Sequence, residues 1–192
     1  YNPSSNEDAY LTAIGYAALN ANTTGNYNTA VGGNALSSNT TANHNTAIGY
    51  YAMAVNTTGG ENVAVGNFAL DASNSTGNTA LGRSALTALT TGSYNVAVGR
   101  YALSSQTTAS DNVAIGHLAL AANTTGTDNV AVGANALDAN ISASDNTAIG
   151  DNALGANTTG GENAALGSSA LVTNTTGTEN TAVGAYALYT NN

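Results

Sequence analysis

A single glycine returns about every seventeen residues along the whole chain, and it always closes the same phrase. The phrase is Asn-Thr-Ala-Ile-Gly, followed by two free residues and Ala-Leu, and it is seen cleanly at Asn45 to Gly49 with Ala52-Met53. The marker glycines are Gly15, Gly32, Gly49, Gly66, Gly82, Gly99, Gly116, Gly133, Gly150, Gly167 and Gly184, a step of 17 residues nine times and 16 once, between Gly66 and Gly82. Self-similarity at a short fixed period is the mark of an array in which each unit packs only on its neighbours and none folds alone. Residues 10–192 read as one such repeat domain, without a linker or a break in composition. Residues 1–9 hold the only proline, Pro3, and read as an irregular lead-in.

Within a unit the residue before the glycine is always aliphatic, from Ile14 to Val183, and the residue two earlier is Thr, Val or, once, Ala164. Side chains two apart share a strand face, and β-branched residues suit a pleated surface, so the phrase predicts a short strand. A 17-residue unit punctuated by Gly and by Asn-Thr-Thr-Gly leaves no room for a helix of useful length. The expected fold is therefore all-β: a parallel β-solenoid of eleven coils, stacked at about 4.8 Å into a rod roughly 50 Å long.

The position between those two residues is Ala in every copy, from Ala13 to Ala182. With the aliphatic face taken as the inside of the coil, this Ala face is expected to lie against a second layer supplied by another subunit. Ala-Leu reads as a pair of strand neighbours pointing opposite ways, so that both faces are buried. The Asn that opens each phrase, from Asn28 and Asn45 on to Asn180, is expected to form an amide ladder along the rod. Asn-Thr-Thr-Gly segments read as turns. Their irregularities (Leu89, Gln106 and the shifted Asn74 to Gly77) read as the variation that loops tolerate.

Composition narrows the function classes. Charged residues make up 7% of the chain, the formal charge is −9, and Arg83 and Arg100 are the only Lys or Arg residues. Such a chain has almost nothing with which to neutralise phosphates, which argues against nucleic acid and against an anionic membrane surface. No run approaches the roughly 20 apolar residues of a membrane span, so membrane insertion is not expected. The absence of Cys excludes a disulfide scaffold and thiolate metal sites. Neutral polar loops in place of surface charge suit a location outside the cell, on a cell surface or on a virion. The start at Tyr1, without a methionine or leader, suggests a processed product or a segment of something longer.

Val113 to Gly116 (Val-Ala-Ile-Gly) and its copies resemble the head repeats of trimeric autotransporter adhesins, and nearly all the chain is covered. The resemblance implies a left-handed parallel β-roll assembled as a trimer on a bacterial surface. The fuller phrase, with Ala-Leu and Asn-Thr-Thr-Gly, is similar to repeats of phage tail-fibre and large bacterial surface proteins. Both imply an elongated fibre, stalk or adhesin shaft that associates with itself, as a homotrimer or an end-to-end filament, and not an enzyme.

Several residue sets point to chemistry of their own. Asp111, Asp128, Asp145, Glu162 and Glu179, with Glu61 earlier, sit in register just before the phrase. Carboxylates about 5 Å apart repel, so this acidic column reads as a solvated edge, with Ca²⁺ binding as the alternative. Asn22, Asn39, Asn56, Asn74, Asn123, Asn140, Asn157 and Asn174 each open an Asn-x-Ser/Thr sequon on one loop. They read as good turns, or as glycosylation sites for a glycan coat along one edge.

The remaining sets point less far. Ile14 to Leu19 also fits the hexapeptide of left-handed β-helix acyltransferases, but once per coil instead of three times. The available histidines, His44 and His117, lack a partner motif. Tyr10, Tyr27, Tyr50, Tyr51, Tyr94, Tyr101 and Tyr186 fall at corners and could stack on surface glycans. Strand-borne Thr alternates with Val, which weakens an ice-binding reading.

Overall fold

A computed structural model describes residues 10–190 and shows eleven three-residue strands, from β1 (Thr12–Ile14) to β11 (Thr181–Val183), in one parallel sheet ordered as in the sequence. The lead-in expected over residues 1–9 lies outside the described residues. No helix occurs among the described residues, and each unit is one coil of a β-solenoid. Each strand pairs with its equivalent one coil away, so that Ala13 lies beside Ala30 and Ala114 beside Ala131. The register survives the short unit, where Ala64 still faces Ala80. Backbone bonds run from coil to coil at both ends of the strand, as in Thr46 N–H to Asn62 O (2.9 Å) and Gly49 N–H to Val31 O (2.8 Å).

The expected sidedness of the strand is reversed. The Ala column is the interior: Ala30, Ala47, Ala97 and Ala114 are fully buried, while the flanking aliphatics look outward, with Ile115 40% exposed. The reason is thickness. A coil of 17 residues closes so tightly that the strand has room for one methyl group against the opposite wall.

That wall is the Ala-Leu pair, whose reading is also corrected. Ala35 and Leu36, Ala52 and Met53, and their copies up to Ala170 and Leu171 are both buried. They do not alternate because they are not strand: the Leu position holds a left-handed backbone in every coil (Leu36 φ 49°, Leu137 φ 51°). A non-glycine residue there costs on the order of 1–2 kcal/mol. Burying a leucine side chain returns about 1.5–3 kcal/mol, so the strain is carried. A second ladder of backbone bonds, such as Leu36 N–H to Ala52 O at 3.0 Å, ties these turns together.

The phrase-opening asparagines form the expected amide ladder inside the coil. Asn28, Asn45, Asn62 and Asn95 are buried. Asn45 Oδ1 accepts from the Asn62 backbone N–H at 3.0 Å and from Asn62 Nδ2 at 3.2 Å, while Asn45 Nδ2 donates to Gly59 O at 2.9 Å. No buried side-chain nitrogen or oxygen among the described residues lacks a partner.

The marker glycines follow from the same closeness. Gly82 has φ +138°, and a Cβ there would sit 2.5 Å from Gly99 O of the next coil. Gly82→Ala combines that clash with a backbone region open only to glycine and should destabilise the rod by about 3–5 kcal/mol. Gly33, by contrast, has no left-handed φ, and its Cβ would meet only the exposed Tyr50 ring at 3.3 Å. Gly33→Ala should stay within about 0.5 kcal/mol of the parent chain or gain slightly. Denaturant unfolding of the two variants checks the contrast, and equal losses would refute it.

Candidate functional site on the outer sheet and the corners

Because every coil repeats the same path, each position of the repeat becomes a straight column on the surface. The outer sheet face carries two such columns. One is Thr12, Thr29, Thr46, Val63, Thr79, Val96, Val113, Val130, Thr147, Ala164 and Thr181; the other is the aliphatic residue before each glycine. Ile48, Leu81, Ile115, Ile149 and Leu166 are each about two-fifths exposed. Six of the eleven positions in the first column are Thr, four Val and one Ala, so that column is mixed and the continuous apolar line is the aliphatic column beside it.

The sequon column turns inward. Asn39, Asn56, Asn123, Asn140 and Asn157 are fully buried, and Asn22 and Asn174 nearly so. Each donates the nitrogen that a glycan would occupy, as in Asn56 Nδ2 to Gly59 O (2.9 Å) and Asn140 Nδ2 to Asn123 Oδ1 (3.1 Å). A glycan coat on these seven is incompatible with the folded coil, because the amides are a second internal ladder. Asn74 alone of the eight is exposed. Its Oδ1 accepts from Thr57 N–H and Thr57 Oγ1, both at 2.7 Å.

The irregularities are also more than loop tolerance. Leu89 and Gln106 occupy the same buried column. Gln106 keeps the ladder, donating to Ala109 O at 2.9 Å and accepting from Asn112 and Asn123. In the 16-residue unit Ser73 and Ser75 bond each other at 2.5 Å, and Ser75 Oγ accepts from Asn78 Nδ2, which closes the shortened loop.

The corner preceding the phrase holds Asp111, Asp128, Asp145, Glu162 and Glu179 in single file, all exposed, with left-handed backbones (φ 58–61°). Among the described residues no three of His, Cys, Asp or Glu converge on a point that would hold a metal ion. Earlier in the same column Tyr10, Tyr27 and His44 stack ring on ring, at 5.2 and 4.8 Å with near-parallel planes. Their faces are turned on one another along the rod. His117 stands in a different column, so the two histidines do not meet.

The corner following the glycine is the least uniform. Tyr50, Tyr51 and Phe68 form a cluster with centroids 4.5–5.7 Å apart. Two coils on from Tyr51's partner Phe68 stands Tyr101, with the Arg83 and Arg100 guanidinium carbons 5.7 and 4.8 Å from its ring centre. A hydrogen bond from Arg100, and next the charge of Arg83, hold the Tyr101 phenol below its ordinary value. In the sequence these arginines stand out only as scarce cations. Their 17-residue separation already placed them one above the other.

No protein family, curated protein or solved structure matches the chain.

Two carboxyl groups are half-buried on another side of the coil. Burial pushes Asp71 above the usual carboxylate value, opposed by a hydrogen bond from Thr87 Oγ1 (3.0 Å), and burial likewise raises Asp138. A group raised in the folded state holds its proton to higher pH than in the unfolded chain, so folding is favoured at low pH and loses stability as pH rises through the raised range. Thermal unfolding between pH 4 and 7 should therefore show the parent chain weakening with pH. A variant carrying Asp71→Asn and Asp138→Asn should weaken less, and an unchanged slope would refute the assignment.

Proposed function

We propose that this chain is a structural protein, a stiff shaft of an extracellular fibre, stalk or adhesin. The observation that carries the reading is the unbroken, in-register ladder from β1 to β11. Each coil is tied to the next by backbone bonds at the strand, at the Ala-Leu turn and by two internal amide columns, so bending the rod strains many bonds at once. Sparse charge and neutral polar turns supply a surface suited to the outside of a cell or a virion.

Self-association is the second part of the proposal. The outer sheet face, an exposed aliphatic column beside a mixed Thr and Val column whose methyl groups share that face, makes a strip of roughly 500 Å², at the size where exposed apolar surface marks contact sites. A homotrimer that packs three such strips against one another covers all of them. End-to-end stacking is the competing assembly and leaves the strip open.

Sedimentation separates the outcomes. The parent chain should run at about three times its 18.8 kDa mass. A variant carrying Ile115→Glu and Ile149→Glu should run as a folded monomer with an unchanged circular dichroism spectrum. A monomeric parent at high concentration, or a trimer indifferent to these charges, would overturn side-by-side packing. Compact particles in negative stain would count against the shaft itself.

A further inference from the structure

The repeat supplies its own control for deciding which residues the fold demands. In the column directly after the marker glycine the occupants include Gly33, Asn67, Ala134, Ser168 and Ala185, so the coil needs no particular side chain there. Three successive coils nevertheless carry Arg83, Arg100 and His117 in that column, all exposed. They bring together both arginines of a chain that has no lysine and a net charge of −9.

The arrangement is unfavourable unless something meets it. Neighbouring coils lie about 4.8 Å apart, so the two guanidiniums are held at close range by a rigid scaffold. Neither this column nor the adjoining one places an acidic residue within two coils of either arginine; the nearest in register is Asp151, three coils beyond Arg100. The groups lie instead on the ring of Tyr101. The backbone beneath is fixed, since Tyr101 N–H donates to Arg83 O and Leu118 N–H to Arg100 O, each at 3.1 Å.

We propose that this corner binds a uronate-bearing polysaccharide. Arg83 and Arg100 present planar forks matched to a carboxylate. Tyr101 holds the two guanidiniums side by side, and the neighbouring Phe68, Tyr51 and Tyr50 cluster offers ring surface to the apolar face of a flanking sugar. The ligand's charges are sparse, because a densely charged polymer such as a nucleic acid would be repelled by the acidic rod and would find too few cations. The site goes beyond the shaft reading and does not depend on it, since it rests on residues beyond the marker glycine and not on the strand face.

Binding of neutral xylo-oligosaccharides that carry a single glucuronate to the whole chain, measured by calorimetry at low salt, tests the assignment. The parent should bind, and a variant carrying Arg83→Ala and Arg100→Ala should bind roughly tenfold or more weakly while keeping its unfolding temperature. Replacing both with Lys should recover only part of the loss, because the fork is gone while the charge stays. Tyr101→Leu should weaken binding about threefold, and neutral dextran should not bind. Absence of binding by the parent, or equal binding by the arginine-free variant, would overturn the site. Equal binding of polyglutamate would overturn the saccharide assignment, and tighter binding of heparin would overturn the choice of carboxylate over sulfate.

Discussion

Most backbone groups of each strand and turn are satisfied by the coil above or below it, and the rest of the structure follows from that dependence. A coil of 17 residues is too thin to enclose a core like that of a globular domain. Its interior is one Ala methyl, one Ala-Leu pair and two amides per turn. The amides succeed there because most Oδ1 atoms accept from the next coil and most Nδ2 atoms donate to a loop carbonyl, so that burial leaves nothing unpaired among the described residues. The same closeness puts one marker glycine on the next, where any Cβ would strike a carbonyl.

This economy divides the chain into positions that the coil dictates and positions that it leaves open. Strand Ala, the Ala-Leu pair, both asparagine columns and the marker glycine belong to the first kind. The outward strand residues and two corner columns belong to the second, and there the copies diverge into an aliphatic strip, a file of carboxylates, stacked aromatic rings and a patch of cations on tyrosine. Function in such a rod is carried by what stands in the open columns, since the dictated ones are committed to holding the coils together.

The period, the strand position, the parallel register and the phrase-opening amide ladder could all be read from the sequence, because each is a statement about spacing. Sidedness could not. A two-residue alternation says that Ala and Ile face opposite ways but not which way is in, and the usual preference for burying the larger side chain gave the wrong answer for a coil this thin. The Ala-Leu pair misled for a related reason: alternation fails where Leu adopts a left-handed backbone, a conformation that its side chain gives no sign of favouring. The sequon motif is legible as a turn, but turns usually lie at the surface, so nothing in the motif itself marks its asparagine as internal. Only the exchange of Asn for Leu89 and Gln106 at that position hinted at an interior column. The pairing of Arg83 with Arg100 was present in the 17-residue step all along.

Thiol accessibility tests the central claim, that the coils stack in register with Ala inside and the aliphatic residue outside, and the chain's lack of cysteine leaves no background. In a folded chain held monomeric by Leu81→Glu and Ile149→Glu, Ile115→Cys should react readily with a thiol reagent, while Ala114→Cys should be strongly protected. A chain carrying both Val98→Cys and Ile115→Cys should also close a disulfide, because adjacent strands hold paired Cα atoms near 5 Å. Protection of position 115 with rapid labelling of position 114, or failure of that pair to cross-link, would contradict it.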